Sequence, residues 1–158
     1  MKTSKIGILS ILFAIFISCS DDENTPDFIG DSVGSYSYTV KIFRAGKTTA
    51  EIITGNLTLM RNEDDLSISL DDIETLKSSQ LVLTPKGYVF DLEVATVTDD
   101  EGDAVNRAGK TLITVDGKPY HGRYDAEAKQ LFINSTYTYQ NTQFAQYNFS
   151  AEMTATKK

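Results

Sequence analysis

The chain has 158 residues, 41% hydrophobic and 23% charged, which fits one folded domain and excludes a disordered composition. A single Cys and a single His exclude a disulfide framework and a Cys/His zinc site within the chain. A formal charge of −7 excludes a basic nucleic-acid footprint.

Residues 1–5 carry Lys2 and Lys5, and residues 6–17 are apolar apart from Ser10. A basic start and an apolar run shorter than the roughly 20 residues of a spanning helix read as a secretory signal peptide over residues 1–18. The one cysteine, Cys19, follows at once. Phe16-Ile17-Ser18-Cys19 resembles a bacterial lipobox, which implies cleavage before Cys19 and acylation of its thiol. More than one acyl chain makes such an anchor stable. Ser20-Asp21-Asp22-Glu23 resembles the acidic export signal of Bacteroidetes surface lipoproteins. That resemblance implies a protein held in the outer membrane by its lipid and facing the cell exterior. Removing residues 1–18 takes away two lysines and no acid, so the remainder is more acidic than the whole.

Residues 20–33 show no sustained periodicity and read, with Cys19, as an acidic flexible tether over 19–33. Asp31-Ser32-Val33 matches the short pattern used for O-glycosylation of exported Bacteroidetes proteins, which makes Ser32 a candidate for modification. Asn56, Asn134 and Asn148 fit the eukaryotic N-glycosylation pattern but read as plain strand residues.

From Gly34 the dominant period is two, the mark of strands with one buried face. Tyr36, Tyr38, Val40 and Ile42 alternate with Ser37, Thr39 and Lys41. Ile53, Leu57 and Leu59 follow, with Gly55 on their face, and then Leu66, Ile68 and Leu70. Only residues 71–78 suggest a helical turn. Tyr88, Phe90, Leu92 and Val94 share the next face, and residues 99–107 read as a longer polar loop. Asp116-Gly117 signals a hairpin between residues 111–115 and 118–124. The last run is the clearest: Ala145, Tyr147, Phe149, Ala151, Met153 and Ala155 alternate with polar residues. These runs predict an all-β domain over 34–158, an eight- to nine-stranded antiparallel up-and-down barrel, with a two-sheet β-sandwich as the alternative.

The layout is similar to the lipocalin-like (calycin-like) lipoproteins of Bacteroidetes. Gly34-Ser35-Tyr36 stands where that family opens its first strand with Gly-x-Trp/Tyr, and residues 129–139 and 143–154 match its long closing hairpin. The resemblance covers residues 34–155. The first reading of function is a monomeric, non-enzymatic barrel that takes a small apolar or amphipathic ligand in its mouth. The inward aromatic candidates for that ligand are Tyr36, Tyr88, Tyr120, Tyr124 and Tyr147.

Nothing in the chain assembles into a catalytic motif, and no cofactor or metal is expected. His121 lies between Tyr120 and Gly122, so alternation turns it to solvent if Tyr120 and Tyr124 point inward. Residues 99–103 hold four acids around Gly102, but their spacing is not that of a calcium loop. Residues 62–65 read the same way. Asp91 and Glu93 read as the polar side of a strand, not as a glycosidase pair. Tyr137 and Tyr139 could stack on sugars, which leaves a second reading: a packed barrel that binds a protein or glycan through its loops.

Overall fold

Extended backbone with one apolar face satisfies its hydrogen bonds only by pairing on both edges, and a closed barrel does this without leaving an edge. The computed structural model describes residues 26–63, 65–71, 74–98, 102–141 and 146–158. The signal segment, Cys19 and the export residues Ser20, Asp21, Asp22 and Glu23 lie outside the described residues.

The chain enters through a single helical turn, α1 (Phe28–Ser32), and then runs through five strands in sequence: β1 (Gly34–Arg44), β2 (Ala50–Asn62), β3 (Asp65–Leu70), β4 (Glu74–Thr84) and β5 (Gly87–Leu92). Two hairpins follow, β6 (Ala95–Thr98) with β7 (Ala104–Gly109), and β8 (Ile113–Val115) with β9 (Lys118–Tyr120). The chain then returns through β10 (Gly122–Asp125), β11 (Gln130–Gln140) and β12 (Gln146–Lys157).

Every neighbouring pair in the circuit β1-β2-β3-β4-β5-β10-β11-β12 is antiparallel, and β12 pairs back onto β1. The fold is therefore a closed eight-stranded antiparallel barrel. Closure runs from Tyr36 opposite Lys157 to Arg44 opposite Phe149. β7 extends the barrel wall by pairing with the far half of β11, Ser135 through Gln140, while β10 pairs with its near half. The β8–β9 hairpin turns on Asp116 and Gly117, both at positive φ, as its Asp-Gly signal predicts.

Three expectations change. Residues 71–78 hold no helical turn among the described residues. β4 begins at Glu74, with Leu76 and Ser78 buried and Thr75 and Lys77 exposed. The alternation was masked because two of its inward positions, Glu74 and Ser78, are polar. The polar loop expected over 99–107 is shorter, since 104–107 belong to β7. The tether expected over 20–33 is not a free linker at its end. Asp27 caps α1 by accepting from Gly30 N at 2.9 Å, and Phe28 and Ile29 pack on the barrel core. The barrel itself has eight strands, within the eight to nine expected, and two hairpins inserted between β5 and β10 bring the described strands to twelve.

The waist is filled by Leu57, Leu59, Leu66, Ile68, Phe90, Leu131 and Ile133, each at most 2% exposed. Gly122 is required here, because the Phe90 ring occupies the space a Cβ would take. The end near α1 is shut by aromatic packing. Tyr88 stacks on Tyr124 with ring centroids 5.2 Å apart, and Tyr36 is fully buried beside them. The far end, where β1, β3 and β11 finish, is the one left open.

Candidate functional site

The barrel narrows from a packed waist to a hollow at its far end, and the reason lies in side-chain size along the inner face. In β12 the inward residues toward this end are Ala151 and Phe149, and Ala151 leaves a gap that its neighbours do not fill. In β2 the inward position opposite Tyr38 is Gly55, and the Tyr38 hydroxyl and Asp71 carboxylate occupy the volume a side chain would need. The result is a cavity of about 410 Å³. Its wall is mainly apolar: Val40, Ile42, Ile53, Leu70, Phe149 and Ala151, with the rings of Tyr38 and Tyr137. Glu51 and Glu74 supply its carboxylates.

Glu74 is held by Arg107, which enters the barrel from β7 opposite Tyr137 of β11. The Arg107 side chain is 3% exposed and that of Glu74 27%. The guanidinium gives one Nη1–H to Glu74 Oε1, while its Nε is buried with no partner. Burial first, and the Glu74 charge second, push the Tyr137 phenol upward, and the Arg107 charge pulls the other way. Burial and then Asp71 likewise raise the Tyr38 phenol. Asp71 itself accepts from Asn56 N at 2.8 Å. At the rim, the Arg44 guanidinium lies 5.7 Å from the centroid of the Phe149 ring.

The five tyrosines expected to bind ligand divide by height along the barrel. Tyr36, Tyr88 and Tyr124 belong to the shut end and do not border the cavity. The Tyr36 hydroxyl donates to Ser32 O, and that of Tyr88 donates to Ser32 Oγ at 2.7 Å. Tyr120 is 4% exposed in β9 and lies outside the barrel cluster. Only Tyr147 stands at the open end. It is 50% exposed, its ring 6.2 Å from that of Tyr139, and it does not line the cavity. Of the residues that do line it, the sequence singles out only Tyr137, as a sugar-stacking candidate, because alternation tells which face a residue is on, not how far along the barrel it sits.

His121 does not point freely to solvent. Its ring covers Gly109, with its side chain 24% exposed. Nδ1 accepts from Leu92 N at 3.2 Å and stands 3.4 Å from Asp91 Oδ1. Asp91 is thus beside His121, whereas Glu93 is exposed beyond the end of β5. Ser32, the candidate for glycosylation, is 0% exposed, and its hydroxyl donates to Ile29 O at 2.7 Å while accepting from Tyr88. A sugar on that oxygen is incompatible with this packing. Asp99, Asp100 and Glu101 lie outside the described residues. Among the described residues no three His, Cys, Asp or Glu side chains gather as a metal group. No protein-family model matches the chain, and no curated protein matches it.

Proposed function

We propose that this protein is a non-enzymatic lipoprotein, anchored in the outer membrane through Cys19 and facing the cell exterior, that binds one small apolar or amphipathic molecule in its barrel. The observation that carries the binding half is the cavity of about 410 Å³ at the open end, within the range of about 300–1,000 Å³ typical of ligand pockets. Its mix of aliphatic wall, two tyrosine rings and few polar groups suits a molecule with an apolar body. The anchoring half is supported by the sequence of residues 1–23. The described chain enters through α1 at the shut end, opposite the mouth of the cavity.

Native mass spectrometry of residues 27–158, purified from a Bacteroidetes host, tests the binding. A stoichiometric extra mass that vanishes on denaturation is expected. A bare mass, together with no uptake of a polarity-sensitive apolar dye, shifts the reading to a module that works through its loops. Cys19→Ala tests the anchor, and the variant should leave the membrane fraction. Retention of Cys19→Ala in that fraction would sink the lipobox reading.

A further inference from the structure

Arg107 is an expensive residue to place in a barrel wall. Its guanidinium is almost fully removed from water, one nitrogen is spent on Glu74, and Nε has neither a protein partner nor exposed surface. A buried donor on a charged group without an acceptor is a standing loss of stability. The ladder places Arg107 opposite Tyr137, so both side chains enter the barrel at one level. Tyr137 and Glu74 border the cavity, and Arg107, which does not itself line it, is the immediate neighbour of both.

The charges around it restrict what can satisfy it. Glu51 and Glu74 line the cavity, and Asp71 hangs beside Tyr38 over Gly55. The Arg107 charge is already matched by Glu74, and Arg44 sits at the exposed rim against Phe149. A carboxylate brought to Arg107 would meet Glu74 at the same guanidinium, an unfavourable like-charge approach. An ammonium group would bring donors to a donor. A neutral oxygen acceptor meets neither objection.

We infer that the ligand is an uncharged amphiphile whose polar end is a carbonyl or ester oxygen that accepts from Arg107 Nε, and that the site selects it over the carboxylate of the same chain. This rests on the cavity being the binding site. Contact with Nε requires the Tyr137 side chain, which borders the cavity, to give way while Glu74 keeps its hold on Nη1.

The test is a titration of the whole mature chain with four probes of one chain length: the alkane, the methyl ester, the carboxylate and the alkylammonium. The ester should bind about tenfold or more tightly than the carboxylate and the alkane, the scale of one hydrogen bond to a charged group. Arg107→Lys keeps a charge for Glu74 but removes Nε, and should bring the ester-to-alkane affinity ratio down to about one. Carboxylate binding as tight as ester binding overturns the inference, as does an ester preference that survives Arg107→Lys or disappears in Arg44→Ala. The wild-type ester-to-carboxylate ratio decides the matter even if Arg107→Lys fails to fold. If no probe binds, the cavity reading itself falls and takes this inference with it.

Discussion

Ser32 joins three parts of the shut end through two oxygens. Its hydroxyl donates to Ile29 O and accepts from Tyr88, and its carbonyl accepts from Tyr36. Ser32→Ala leaves the Tyr88 hydroxyl without that partner at a fully buried site, which should cost about 1–3 kcal/mol in urea unfolding. In a Tyr88→Phe background, where the orphaned hydroxyl is gone, the same substitution should cost much less. Equal cost in both backgrounds would mean that the serine acts through packing alone. The same residues set an alkaline limit. Burial raises the phenols of Tyr36 and Tyr88 above their ordinary value of 10.0. The unfolded chain therefore releases these protons first, and the folded chain holds them. Stability is whole below pH 10 and should fall as pH rises beyond it, by up to about 1.4 kcal/mol per pH unit for each phenol still protonated. Phenolate absorbance that rises only with unfolding would verify it, whereas smooth titration in the native state would contradict it.

The helical turn α1 carries that chemistry because two of its residues reach the barrel. Phe28 and Ile29 are half-buried against the core cluster and hold the turn under the strand ends. Replacing both with Ser should loosen α1 while the barrel ladder persists. Stability should drop by about 2–4 kcal/mol, as expected for loss of two partly buried apolar side chains, and the turn's amides should exchange faster than those of β1. Exchange in β1 rising equally would show that α1 and the barrel unfold as one unit. The sequence hid this element for a physical reason. Five residues are too few to show a 3.6 period, and their acids resemble a tether. Strands, by contrast, were legible wherever one face met the core, as in β1, β3 and β12. β4 was obscured by inward Glu74 and Ser78, whose polar side chains have partners visible only after folding, Arg107 for one and Leu66 N for the other.

At the scale of the whole molecule, the face on which each side chain lies was readable, but its height was not. Tyr36 and Ile42 share an inward face on β1, yet one helps to shut the barrel and the other lines its mouth. Height depends on the stagger between strands that closes the sheet, which no single strand encodes. The same limit left open whether the interior is hollow, since inward Ala and Gly alternate with inward Phe and Tyr. Ala151 now makes that question measurable, because it is buried at the cavity wall between Ile42 and Ser135 on the neighbouring strands. In a fully packed barrel Ala151→Phe would be an overpacking substitution costing about 1–3 kcal/mol. With a cavity of about 410 Å³ beside it, the added ring has room. Stability in urea should therefore hold or rise, and affinity for an apolar probe should fall by about tenfold or more as the ring takes the ligand's volume. Destabilisation with undiminished probe binding would place the ligand elsewhere on the molecule. Unchanged stability with lost binding would locate it in the open half of the barrel, above the aromatic layer that closes the other half.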